Sequence, residues 1–202
     1  MRYPTSDPPM RQETRLPQPS PTLIARHIRA YEAEPAGGLP DEAVAAVFGS
    51  FPQNDHPGQV LAKVAVLNSL YFTNILAVRE VALSIVNAQV DPMLDQGSPE
   101  VLRALATHTI RGRPRHNFSF ATKYAHWHRP DAYPIYDTFV RQQLLAYRRQ
   151  DKFAAFRPQD LRSPMFVPIF EQFRRFYGLE GCPLREIDKW LWRQGKGLRP
   201  AS

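Results

Sequence analysis

The sequence predicts an all-α protein, and three observations carry that expectation. Apolar residues recur at helical spacing from Thr22 onward. Serine, aspartate and proline stand where the periodic runs begin, as helix caps and first-turn residues do. No stretch alternates apolar and polar residues for long enough to read as a strand.

The elements follow in order. Residues 1–21 hold six prolines and little apolar content, so they are expected to be a disordered arm before a helical domain over 22–202. Leu23, Ile24, Ile28 and Tyr31 share one helix face behind a Ser20-Pro21 start. A short helix is expected from Asp41 to Phe48. Gly58–Phe72 is strongly amphipathic, with Asn68 a polar residue on its apolar face. Further helices are expected over 74–90 and 98–108, the latter opened by Ser98-Pro99. Thr109–Asn117, rich in Gly, Pro and Arg, reads as a turn. Helices then follow over 118–128, 137–149, 163–177 and 183–194.

Bulk composition bounds the function. The 202 residues, 43% hydrophobic and 22% charged, suit one globular domain or a two-lobed helical unit. Residues 1–90 carry seven Lys/Arg against eight Asp/Glu, and residues 91–202 carry nineteen against eleven. The basic excess therefore lies in the C-terminal half and favours a polyanionic partner, nucleic acid being the commonest. The single cysteine, Cys182, excludes an internal disulfide. No apolar run is long enough to span a bilayer, and the expected location is cytoplasmic.

Chemistry concentrates between residues 111 and 137. Arg111, Arg113 and Arg115 crowd the turn between two helices, a layout able to offer charge and backbone N–H groups to a phosphate. Lys123 follows early in the next helix, among Phe118, Phe120, Tyr124 and Trp127. A desolvated lysine there is a candidate nucleophile, and a snorkelling surface lysine is the alternative. Pro134-Ile-Tyr-Asp137 reads as a helix entry with Asp137 as cap, or as a carboxylate fixed opposite the lysine. His126 and His128 face apart on a helix, so they make a poor metal pair.

The segment from Ser119 to Asp137 resembles the catalytic segment of the helix–hairpin–helix DNA glycosylases, in their 8-oxoguanine glycosylase/lyase branch. Ser119-Phe-Ala-Thr-Lys123-Tyr-Ala125 stands at the Gly-Val-Gly-Thr-Lys-Val-Ala hairpin, and Pro134-Ile-Tyr-Asp137 at the Pro-Val-Asp element. Ser119 and Ala121 replace the two glycines, and one extra residue separates proline from aspartate. The resemblance implies a helix–hairpin–helix fold with the active site in a cleft. Lys123 would be the imine-forming nucleophile and Asp137 the catalytic aspartate, with no metal or organic cofactor. The partner would be duplex DNA holding a damaged or modified base, 8-oxoguanine by default, and the protein a monomer. Phe120, His126, Trp127, Tyr133 and Trp190 are the expected substrate contacts. Arg111, Arg113, Arg115, Thr122 and Arg141 are the expected DNA-backbone contacts. A non-catalytic DNA-binding module, a glycosylase for another base, and a small-molecule or protein-interaction domain are the rival expectations.

Overall fold

Helix caps and apolar faces set the architecture of the computed structural model, in which residues 15–35 and 37–197 are described. Among them are ten α-helices and one two-stranded sheet, so the all-α expectation holds at the level of class. The helices are α1 (Pro21–Glu32), α2 (Leu39–Ser50), α3 (Pro57–Leu70), α4 (Val78–Ala88), α5 (Asp91–Asp95) and α6 (Val101–Ala106). After the strands come α7 (Phe118–His128), α8 (Thr138–Asp151), α9 (Phe166–Phe176) and α10 (Leu184–Gly195).

The expected arm splits in two. Residues 1–14 lie outside the described residues. Residues 15–20 are pinned to α8: the Leu16 N–H donates to Gln150 (2.7 Å) and the Tyr147 hydroxyl to the Pro17 carbonyl (2.7 Å). The Ser20 side chain caps α1.

The expected turn at 109–117 is corrected. Thr107–Ile110 (β1) and Arg113–His116 (β2) pair antiparallel, with Ile110 opposite Arg113. Arg111 (φ 50°) and Gly112 (φ 73°) occupy the two-residue loop. Positive φ at both positions matches the right-handed twist of paired strands. The helix expected over 98–108 shrinks to α6 because β1 begins at Thr107. The start expected at Asn74 moves to Val78, because Phe72 (φ 48°) and Asn74 (φ 57°) are left-handed. Asn68 braces that loop: its amide donates to the Ile75 carbonyl (2.9 Å) and accepts from the Ile75 N–H (2.8 Å).

Packing forms two helix groups over one continuous core. In the first, α7 packs on α2, α3 and α6, and α4 on α3, α6 and β1. In the second, α10 packs on α1 and α8. Residues Phe118 and Phe120–His126 of α7 are all buried, as expected of a helix enclosed on every side.

Candidate functional site

One face of α7 is stitched to the extended segment 133–137. Ser119, Thr122, Lys123 and His126 lie at helical positions i, i+3, i+4 and i+7, and so form a single stripe. His126 Nδ1 contacts the Tyr133 carbonyl (2.8 Å). Thr122 Oγ1 accepts from the Tyr136 N–H (3.0 Å). Ser119 Oγ and Lys123 Nζ both donate to the Tyr136 carbonyl (3.1 and 3.4 Å). The stripe thus fixes the residue just before Asp137. Asp137 then caps α8, accepting from the Phe139 N–H at 2.7 Å.

A cavity of about 500 Å³ opens beside this stripe. Lys123 and Asp137 both line it, with Ile135, Phe139 and Val140. Tyr31 comes from α1, Pro40 and Asp41 from α2, and Leu70, Tyr71 and Phe72 from the end of α3 and the loop beyond. Arg185, Asp188, Lys189, Trp192 and Lys196 come from α10 and its end. The cavity therefore sits on the seam between the two helix groups.

Lys123 is only 5% exposed. Its amine donates to Ser119 Oγ at 2.6 Å and, more weakly, to the Ser119 and Tyr136 carbonyls at 3.4 Å. Among the described residues no carboxylate forms an ion pair with it, so Lys123 and Asp137 share the cavity without touching. Burial lowers its pKa to about 8, against the pull of Asp137 and with a push from Arg185. Desolvation disfavours the ammonium, so a neutral amine becomes available near physiological pH.

Opposite the amine is a charge network. The Arg185 guanidinium bridges Asp41 (Nη2 to Oδ1, 3.1 Å) and Asp188 (Nη1 to Oδ1, 2.6 Å). Lys189 (2.8 Å) and the Tyr71 hydroxyl (2.5 Å) also donate to Asp41. Burial works against ionisation of Asp41, but Arg185, Lys189 and Tyr71 overcome it and hold its pKa at about 2. Asp188 takes the Ile135 N–H (3.1 Å) as well. Its burial is complete enough to push its pKa up to about 6 despite Arg185. The rim is aromatic and cationic: Lys189 sits 4.0 Å over the Tyr31 ring and Lys196 4.1 Å over Trp192. Phe72 is 80% and Leu76 100% exposed in the loop above.

The expected residues divide by place. Phe120 (packed on Tyr124 and His108) and Trp190 (packed on Tyr147) are core, outside the cavity. Tyr133 is buried and its hydroxyl donates to the Met93 and Ser98 carbonyls, again outside. His126 and Thr122 are buried in the stripe, hydrogen-bonded to segment 133–137 and not among the residues that line the cavity. Trp127 packs edge-on to Tyr71 behind the wall. Arg141 is partly buried on α8, its Nε unpartnered. Arg111, Arg113 and Arg115 are exposed on the β1–β2 ribbon. His126 and His128 point apart, the latter toward Lys63 (3.4 Å). The described residues contain no cluster of His, Cys, Asp or Glu placed to hold a metal.

Sequence reasoning missed Asp41, Tyr71, Arg185 and Asp188, and of the two tryptophans that straddle the last helix it chose Trp190 where Trp192 lines the cavity. Two signals were legible: the Tyr71-Phe72 doublet ahead of a Thr-Asn turn, and Arg185/Asp188 at i,i+3 on a helix with an apolar face.

Residues 23–132 match the family HI_0787_N, described as an N-terminal domain. An uncharacterized protein of Haemophilus influenzae is 39% identical over 145 residues, 71% of this chain and 69% of that protein. No solved structure matches. Among the described residues no helix is long and apolar enough to cross a membrane.

Proposed function

We propose that this chain, which belongs to the HI_0787_N family, is a DNA base-excision enzyme that uses Lys123 as an amine nucleophile. One observation carries the reading: a desolvated lysine at the wall of a cavity that also holds the Asp137 carboxylate. Lys63, the other buried lysine, is likewise lowered to about 8 by burial and gives its protons to the Phe51 and Gln53 carbonyls and Asn54 Oδ1, but it is 0% exposed and is not among the residues that line the cavity of Lys123 and Asp137.

The chemistry runs as follows. A base inside a duplex is out of reach, so it is first flipped into the cavity. The neutral Lys123 amine attacks C1′, and the N-glycosidic bond breaks with its electrons leaving on the base. Asp137 stabilises the positive charge that develops on the sugar. The attacking nitrogen loses a proton, the sugar ring opens, and a C1′ imine forms. Loss of a C2′ proton then expels the 3′ phosphate by β-elimination, nicking the strand, and water releases the enzyme. Tyr71 and Trp192, as cavity residues, replace Phe120, Tyr133 and Trp190 as the aromatic contacts. The substrate is a damaged or modified base, with oxidised guanine the first to try.

Duplex DNA as partner rests on the ribbon. The side chains of Arg111, Arg113 and Arg115 have no ion pair or hydrogen bond among the described residues, and no Asp or Glu lies between Glu100 and Asp131. Eight other arginines are ion-paired. The ribbon thus takes the place in sequence that the resemblance gives to a helical hairpin, and is proposed to grip phosphates. Phe72, exposed at the cavity wall, and Leu76, exposed four residues on in the same loop, are proposed to meet the opened base step.

The test is reductive trapping. Borohydride with an abasic duplex, then with a panel of lesion and modified-base duplexes, should give a covalent adduct with wild type and none with Lys123→Ala or Lys123→Gln. If wild type yields no adduct on any abasic substrate, the excision reading fails. DNA binding without an adduct would leave a non-catalytic DNA-binding module, the reading that the unpaired arginines alone would favour.

A further inference from the structure

Ser119 stands one turn before Lys123 on the stitched face of α7, where the resembled segment has glycine. Three oxygens receive the Lys123 ammonium, and the hydroxyl is by far the nearest, at 2.6 Å against 3.4 Å for both carbonyls. The Ser119 proton is committed elsewhere, to the Tyr136 carbonyl at 3.1 Å. Its lone pairs are therefore turned to the amine, and the contact is a charge-assisted hydrogen bond. The same hydroxyl joins the amine to the peptide immediately before Asp137. One side chain thus holds nucleophile and carboxylate in register.

The other charged groups around the amine act at longer range. Asp137 heads α8, while Arg185 and Asp188 come from α10. Asp41 on α2 and Lys189 on α10 lie farther round the wall, already engaged with Arg185 or with each other. No carboxylate among the described residues forms an ion pair with the amine. The hydroxyl is therefore its strongest direct polar contact.

We propose that Ser119 is the positioning residue for Lys123: its hydroxyl fixes the amine at the cavity wall and, by accepting from the ammonium, sets the pH at which the amine is released to react. This deepens the reading of Lys123 as the reacting amine and rests on it for its catalytic consequence. Two effects of opposite sign follow from removing the hydroxyl. The charged form loses a stabilising bond, so the amine titrates at lower pH. The freed side chain spreads over more rotamers, so the neutral amine reacts more slowly once formed.

Two readouts on the full chain separate these effects. In the first, without DNA, formaldehyde and cyanoborohydride label the protein across about pH 6 to 10, and peptide mass spectrometry reads methylation at Lys123. In the second, borohydride trapping on abasic DNA is followed over the same range. Ser119→Ala should lower the Lys123 midpoint by about one pH unit and cut the high-pH trapping plateau about tenfold. Ser119→Thr, which keeps a hydroxyl, should stay within about twofold of wild type in plateau and match its midpoint. Should Ser119→Ala fail to fold, Ser119→Gly, which also lacks the hydroxyl, carries the same expectation. A wild-type midpoint in the folded hydroxyl-free variant would overturn the proposal. If wild type never forms an adduct with DNA, the excision reading falls, while the labelling midpoints still decide Ser119. If wild type does form one and the midpoints coincide, Ser119 alone falls.

Discussion

At the residue scale, the site is governed by what burial does to ionisation. Lys123 is pushed down to about 8, and His126 to about 4, by loss of water. His126 gives a sign-definite prediction. Unfolded, it takes up a proton near pH 6.5; folded, it resists until about 4. The unfolded state thus binds more protons between these values, and stability falls as pH drops through that window. His128, lowered to about 3 by burial and then by Lys63, acts in the same sense. Asp188 acts in the opposite sense, because its raised carboxyl favours the folded state when protonated. Chemical denaturation at several pH values should therefore show a shallower loss between about pH 6.5 and 4 for His126→Gln than for wild type. Equal slopes would show that His126 is not held neutral in the fold.

At the element scale, legibility tracked period and caps. Helix α7 was readable between the Gly/Pro-rich turn before it and the Arg129-Pro130 break after it, and the start of α8 because Asp137 is a proper cap, although α8 runs two residues beyond the expected Arg149. The ribbon was not, because strands of four residues show too little alternation and Pro114 and Gly112 read as punctuation. The start of α4 was missed because nothing in the local sequence reveals that the Asn68 side chain holds the next loop open. The ribbon also supplies a measurement. Three arginines on phosphates release about three counterions, each lowering the slope of log K against log salt by about 0.9. The triple variant Arg111→Ala/Arg113→Ala/Arg115→Ala should lose most of about 2.7 from that slope on duplex DNA. An unchanged slope would place the DNA grip elsewhere.

At the scale of the whole molecule, the two helix groups meet across the cavity, and the Asp41–Arg185–Asp188 network closes one side of the seam. That Lys123 and Asp137 could lie near each other was legible, because the 14-residue step between them is one helix and a loop that let the chain double back, and both line the cavity. Their partners across the cavity were not, because Asp41 and Arg185 are 144 residues apart and no local pattern encodes that meeting. Arg185→Leu should leave Asp41 and Asp188 without their shared counter-charge, costing about 3–5 kcal/mol in urea unfolding. A loss below about 1 kcal/mol would mean that water replaces the guanidinium freely.

That long-range link also imposes an order of events during synthesis. Asp41 leaves the ribosome long before Arg185, so α7 emerges with its lysine while the opposite wall does not yet exist. An unshielded lysine keeps its ordinary basicity and stays protonated at neutral pH. When α10 docks, Arg185 and Asp188 arrive beside it and, with Asp41, complete the far wall of the cavity. If Lys123 is the reacting amine proposed above, the nascent protein carries it charged until α10, the last described helix in chain order, has been made and has completed the cavity wall.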